Sequence, residues 1–409
     1  MTAVNQSIAI ETAGAASPAA GADTFQAGRV ATIAAGHGVH DSYTAFLAPL
    51  LVIFKQTLGL SNTEAGLLSV FMQEASLAQP LIGGLADKFS VRYFVILAPA
   101  VTAIAMSLLG VAPSYLMLAI LLTITGLSSA CLHAVGPVMT GDVSGKRKLG
   151  MGMSIWMVGG ESGRFIGPLV IGIVITTWGV HNTPWLMIGG VLASLALLLT
   201  LKEPPGHRAA QARPKSTLRA ELRGKRRLLA VLIGIIVIQV FMSSALVTYL
   251  PILLHDEGES FWLASVSLSV LQAAGVVGAL FGGTLSDRLG RRRMLSLSIL
   301  PTSFFMFLFL TASGWVRFPL LLILGLTSLS ITPVVMAIVQ ESFPNNRSLA
   351  NGFYMALSFL IRSSAVLITG RLGDLFGMHT AFAVCAVIPL LGLPLLRFLP
   401  VKRAPQPAA

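Results

Sequence analysis

Apolar runs of about 20 residues, separated by short polar or charged stretches, follow one another along almost the whole chain. They fall at about 29–54, 63–86, 92–112, 115–139, 149–176, 183–201, 228–253, 261–285, 293–311, 317–340, 348–371 and 379–400. An α-helix rises about 1.5 Å per residue, so runs of this length cross a hydrocarbon core about 30 Å thick. Gly and Pro lie inside the runs, and no alternating pattern competes with them. The pattern therefore predicts an all-α membrane protein with twelve transmembrane helices. Residues 1–28 are different: rich in Ala, Gly, Ser and Thr, with neither a basic n-region nor an apolar h-region. They read as a disordered tail and not as a signal peptide.

Composition agrees. Of 409 residues, 55% are hydrophobic and 11% charged, against about 25% charged in an ordinary soluble domain. The net charge of +12 suggests a nucleic-acid partner until its placement is considered. With the N-terminus in the cytosol, Lys55, Arg317 and Arg371 fall outside, Arg164 and Arg362 fall within the membrane, and the other basic residues are cytosolic. The basic balance is thus a topology signal, and it predicts a multi-pass protein of the cytoplasmic (inner) membrane with both termini cytosolic. Cys131 and Cys385 both lie in apolar spans, which argues against a disulfide framework and a zinc cluster.

The chain also repeats itself. "IGGLADKFSVR" (82–92) follows the second span and "FGGTLSDRLGRRR" (281–293) follows the eighth. Asp87 pairs with Asp287, Lys88 with Arg288 and Arg92 with Arg292, each 200 positions apart. "KLGMG" (148–152) matches "SLANG" (348–352), and Asp142 matches Glu341. Two six-helix bundles in parallel orientation are expected, at 29–201 and 228–400, joined by a basic cytosolic linker (202–227) and followed by a cytosolic tail (401–409). Such internal symmetry is found in secondary transporters.

The loop pattern Gly-x-Leu-x-Asp-(Arg/Lys)-x-Gly-Arg-(Arg/Lys) resembles the motif of the major facilitator superfamily. Here it reads Gly83…Asp87-Lys88…Arg92, then Gly283…Asp287-Arg288-Leu289-Gly290-Arg291-Arg292. More narrowly, "HGVHD" (37–41), "MQEASLAQP" (72–80), "GPLV" (167–170), "VQESFP" (339–344) and "PLLG" (389–392) are similar to the fosmidomycin-resistance branch of drug exporters. The fourth helix departs from that branch, with His133-Ala134-Val135 in place of His-Pro-Glu. Glu74, Glu161, Arg164 and Arg362 stand where its residues are neutral. The resemblance implies alternating access and a substrate site between the halves, near mid-membrane.

The buried charges carry the candidate chemistry. From the helical rise, Asp41 lies about 18 Å, Glu161 about 20 Å, Arg362 about 22 Å and Arg164 about 24 Å from the cytosolic ends of their helices. Glu74 is also central. A charge facing lipid there costs about 2.5–3.5 kcal/mol, so these groups are expected to face a cavity or each other. The third, sixth and ninth helices have no interior charge, and the twelfth has only His379 near its outer end. In the superfamily the third helix of each triplet faces lipid.

Glu161 and Arg164, at i and i+3, share a helix face and can pair. Arg164 and Arg362, on corresponding helices of the two halves, can clamp one oxyanion from both sides. Arg164, Arg362, Glu161 and His133 are therefore expected to bind substrate. Three carboxylates (Asp41, Glu74, Glu161) against two arginines leave one negative charge over, which suits proton coupling. Asp41 is the expected carrier, His40 its tuner, with His37 and Glu74 nearby. Two histidines and a carboxylate also suit a divalent ion, but Arg164 and Arg362 would repel it and Asp41 adjoins His40, so no metal ligand is assigned.

Gly163, Gly167 and Pro168 partly match the fifth-helix motif of superfamily antiporters. Small residues at this spacing let two backbones approach. Asp87, Lys88, Arg92, Asp142, Asp287, Arg288, Arg291, Arg292 and Glu341 are expected to form cytosolic latches. The leading expectation is a proton-coupled exporter (antiporter) of a small organic anion or drug such as a phosphonate. Alternatives are a proton-coupled importer of an organic anion and, less favoured, an exporter of divalent metal or a metal chelate. No nucleophile–base set, phosphate loop or cofactor motif points to an enzyme. The partners expected are the anion, protons and lipid, with no nucleic acid, for a monomer.

Overall fold

The computed structural model describes residues 24–79, 82, 92–145, 148–201, 226–343 and 347–399. Most of the tail, the linker 202–225, the C-terminal tail 400–409 and the first loop motif with Asp87 and Lys88 lie outside the described residues. Twelve helical units follow in order. They are α1 (Ala27–Thr44, continued by Leu47–Leu58), α2 (Asn62–Glu74), α3 (Arg92–Leu108), α4 (Tyr115–Ser144), α5 (Leu149–Trp178) and α6 (Met187–Thr200). Then come α7 (Arg226–Ser244, continued by Leu250–Asp256), α8 (Phe261–Leu289), α9 (Arg291–Thr311), α10 (Arg317–Ser328 and Ile331–Ser342), α11 (Arg347–Phe376) and α12 (Met378–Leu391).

Among the described residues, ten helical spans are long and apolar enough to cross a membrane. The first two expected spans are not among them. The first segment of α1 carries His37, His40 and Asp41, and the regular part of α2 stops at Glu74, running into a 3₁₀ turn at Ala75–Ala78. Prolines explain the interruptions, because each lacks an N–H and its ring collides with the carbonyl four residues earlier. Pro49 marks the break after Thr44, Pro333 the break after Ser328, and Pro251 the π-helical turn Ala245–Tyr249 in α7. The breaks in α1 and α7 correspond across the repeat. So do Gly179 (φ 82°) and Gly377 (φ 83°), each ending a 30-residue helix in a conformation that glycine tolerates.

Call the end that holds Arg92, Lys148 and Arg291 the basic end. At the opposite, far end, one hydrophobic core spans both halves. It joins Phe46, Leu50 and Leu68 to Leu246, Tyr249, Leu253 and Phe382. Toward the basic end the core divides: Val30, Ile33, Leu132, Trp156 and Leu197 form one cluster, Ile235, Leu295, Val335 and Leu396 another. Helices α5 and α8 pack together, as do α2 and α11. Polar contacts between the halves repeat the pattern. Lys55 reaches Asp256 at 3.2 Å, and the Asp374 carboxylate accepts the backbone N–H groups of Asn62 (2.6 Å) and Thr63 (3.0 Å). The Tyr249 hydroxyl lies 2.9 Å from the Val366 carbonyl and 3.2 Å from that of Asn62. Among the described residues, the halves are thus closed against each other at the far end.

The expectation that every third helix faces lipid holds unevenly. The span containing α6 buries only 22% of its apolar window, and the span containing α7 buries 72%. The α3 and α9 windows are about half covered, at 56% and 50%, because α3 also packs on α1 and α4, and α9 on α10 and α12.

Candidate transport site

The site is built on a seam between α1 and α5. Gly159, Gly163 and Gly167 lie one turn apart on one face of α5. A Cβ at Gly159 would stand 2.2 Å from the Ala34 carbonyl oxygen, one at Gly163 2.1 Å from that of Gly38, and one at Gly167 2.2 Å from that of Ser42. No side chain fits there, so the two backbones touch. Gly160 is covered by the His37 ring. Pro168 is buried within α5, one position beyond the seam, without ending the helix.

This close approach brings Arg164 to Asp41, with Nε 3.2 Å from Oδ2. The same guanidinium holds Glu161 at 2.8 Å through Nη1. Asp41 is buried, with 3% of its side chain accessible, whereas 43% of Arg164 is accessible. Around Asp41 gather three imidazoles. His37 Nε2 lies 3.4 Å from Oδ2, His133 Nε2 3.8 Å from Oδ1, and His40 Nε2 4.0 Å from Oδ1. The His37 ring stacks on Trp156 at 3.8 Å and contacts its carbonyl oxygen through Nδ1 at 2.9 Å. His40 Nδ1 meets the Thr102 hydroxyl at 3.0 Å. His37, His40, Asp41, His133, Glu161 and Arg164 therefore form one connected group.

Arg164 and Arg362 each sit about midway along a 30-residue helix, α5 and α11. Among the described residues no carboxylate forms an ion pair with Arg362. Glu74 is half-buried at the end of regular α2, with no ion pair or hydrogen bond to the Asp41 group among the described residues.

The expected latch residues go separate ways. Arg92 bonds the Leu198 carbonyl oxygen at 3.0 Å. Arg291 joins Asp287 at 2.6 Å and Glu341 at 3.0 Å, all within the C-terminal half. Arg292 bonds the Arg397 and Leu399 carbonyls beyond α12. Arg288 is exposed, and Asp142 lies near the basic end of α4. Trp156, Thr102, Tyr249 and Asp374 were not legible as site or gate residues. Trp156 had one signal, its position eight residues before Arg164 on the same α5 face.

The Major Facilitator Superfamily profile matches residues 33–315 and 267–409. The chain is 26% identical over 381 residues to the fosmidomycin resistance protein of Escherichia coli (strain K12), covering 92% of this chain and 93% of that protein. It is 23% identical over 367 residues to the multidrug resistance protein MdtG of Serratia proteamaculans (strain 568), covering 85% and 87%. Among solved structures, a bacterial homologue of the human lysosomal transporter Spinster, inward-facing and occupied, superposes with a TM-score of 0.76 at 15% identity. It covers 90% of this chain and 96% of that one. A D-xylose–proton symporter gives a TM-score of 0.69 at 18% identity, covering 91% and 97%. The family match and these relatives indicate a transporter and not an enzyme, twelve helical units fit them, and the chain belongs to the major facilitator superfamily.

Proposed function

We propose that this transporter exports a small organic anion, held between Arg164 and Arg362, with proton coupling through Asp41. The observation that carries the reading is the pair of guanidiniums from opposite halves. They stand about midway along corresponding 30-residue helices, α5 and α11, and no carboxylate forms an ion pair with Arg362 among the described residues. Two like charges in that position are best neutralised by an anion that bridges them. An anion bound to both halves also biases which end opens. Glu161 tempers Arg164, and the partly accessible His133 borders the same space. The relatives named for fosmidomycin and multidrug resistance favour export and a phosphonate as first test cargo. In this reading the basic end faces the cytosol, and the latch residues act when that end closes.

The Asp41–Arg164 pair favours a second reading. An anion that takes Arg164 leaves Asp41 without its cation, and a proton restores the balance. Anion and proton then travel together, which drives import down the proton gradient.

Accumulation of labelled fosmidomycin in cells lacking their own exporters tests both, using wild type, Arg164→Ala and Arg362→Ala at equal expression. Gradient-dependent lowering of accumulation, lost in either variant, supports export. A gradient-dependent rise in wild type supports import. Unchanged transport in both variants would sink the arginine clamp.

A further inference from the structure

Three histidines and one aspartate meet with their ring nitrogens already oriented. His37 Nδ1 lies 2.9 Å from the Trp156 carbonyl oxygen, and His133 Nδ1 lies 2.9 Å from that of Ser129. A carbonyl oxygen only accepts, so both Nδ1 atoms carry the hydrogen. Following the protons gives the same answer for His40. Ser128 donates its single hydroxyl hydrogen to the Ala98 carbonyl, and Thr102 donates its own to Ser128. The Thr102 oxygen, 3.0 Å from His40 Nδ1, is left to accept from that ring. In neutral rings, all three Nε2 atoms are therefore bare lone pairs.

Those lone pairs converge on one another and on Asp41. His37 Nε2 is 3.3 Å from His133 Nε2 and 3.4 Å from Asp41 Oδ2. His133 and His40 stand 3.8 Å and 4.0 Å from Oδ1. His40 Nε2 is fully buried and has no hydrogen-bond partner. Lone pairs facing a carboxylate repel unless a cation sits among them. A proton joins only two atoms at a time, so one on His37 Nε2 serves one neighbour at 3.3–3.4 Å, and the 3.8 Å and 4.0 Å separations lie beyond hydrogen-bonding range. A tetrahedral metal with bonds of about 2.0–2.1 Å sets its ligands about 3.3–3.4 Å apart. Among His37, His133 and Asp41, two of the separations already match, and the third needs to close by about 0.4–0.5 Å to reach that spacing.

The surroundings suit the same occupant. Imidazoles whose Nδ1–H is anchored to backbone or hydroxyl oxygen are oriented as metal ligands are. Imidazole with carboxylate suits zinc, cobalt or nickel. Arg164 does not forbid a cation, because Glu161 shares its charge and each Asp41 oxygen has two acceptor sites. His37, Asp41 and His133 can place one ligand atom each within 4.8 Å of one another. We propose that His37, His133 and Asp41 form a binding site for one divalent transition-metal ion of the zinc type, with His40 beside Asp41 and outside the ligand set. This inference is independent of which anion is carried.

The test uses the full-length protein in lipid nanodiscs, titrated with Co²⁺ in the absence of any anion. The proposal expects one equivalent bound per chain, a tetrahedral d–d absorption, and displacement by Zn²⁺. His133→Gln, at the most accessible of the three rings, should weaken binding at least tenfold. His181→Gln, at an exposed histidine away from the cluster, should leave binding unchanged. The proposal is overturned if wild type binds no more Co²⁺ than the His37→Gln/His133→Gln double variant. It is equally overturned if bound Co²⁺ is octahedral and insensitive to His133→Gln. Variants are compared only where they remain monodisperse, so loss of fold is not counted as loss of metal. Failure here leaves the anion assay untouched, and the reverse also holds.

Discussion

Replacing Gly163 with alanine adds one methyl group at the tightest point of the site. That carbon would meet the Gly38 carbonyl oxygen at 2.1 Å and the Ser42 amide nitrogen at 2.7 Å. Ordinary contact begins near 3.5 Å, so α1 and α5 must separate by roughly 1 Å or more. Both obstructing atoms are backbone, so no side-chain rotation relieves the clash. Arg164 is the next residue along, and its 3.2 Å bond to Asp41 would stretch beyond about 4 Å, past hydrogen-bonding range. A charge-assisted bond of this kind contributes about 1.5–3 kcal/mol, or roughly a 10–100-fold effect on any step that needs it. Overpacking adds about 1–3 kcal/mol of destabilisation. The assays are labelled-phosphonate flux in proteoliposomes and thermal unfolding in detergent. Gly150→Ala is the control, because nothing lies within 4 Å of a Cβ there. If the glycine acts by placing Arg164, adding Arg164→Ala to Gly163→Ala costs no further flux. Wild-type flux and melting in Gly163→Ala would refute the seam as the device that positions the arginine.

Two further outcomes follow from contacts outside the seam. Asp374→Asn removes the charge that holds the first N–H groups of α2 from across the halves, a contribution of about 1 kcal/mol. Far-end opening should rise about fivefold, read as faster modification of a Ser69→Cys probe by a membrane-impermeant thiol reagent in a Cys131→Ser/Cys385→Ser background. An unchanged rate removes Asp374 from the gate. Trp156→Ala deletes the ring that His37 stacks on and that fills the space beside Gly136. It should cost about 3–5 kcal/mol, seen as a lowered melting temperature, with Trp156→Phe retaining most of the stability. Equal melting of the alanine variant and wild type would contradict that packing role.

How much of this was legible beforehand follows from the range of the forces involved. Span length and hydrophobicity are local properties of the chain. They were enough for an all-α membrane fold with twelve helical units, and the loop motif at 83–92 and 283–292 carried the resemblance to the family. The charges of Asp41, Glu161 and Arg164 were also readable as candidates to meet other polar groups, because a charge in an apolar run has few places to go. The pairing of Glu161 with Arg164 followed from helical spacing alone.

Other features needed the third dimension. That Arg164 reaches Asp41 depends on two backbones touching where Gly163 meets Gly38, a contact between residues 125 positions apart. Separating Glu74 from this group, turning Arg291 toward Glu341 within one half, and placing Asp374 on the start of α2 are likewise products of packing. So is the convergence of three Nε2 atoms, since each ring's orientation is set by an oxygen on another helix or another turn. The sequence by itself determined that the chain folds as a series of long apolar helices and which charges fall inside the apolar runs, because hydropathy is a local property of the chain. Only the tertiary structure decided which of those charges meet, because that depends on the approach of helices remote in the chain.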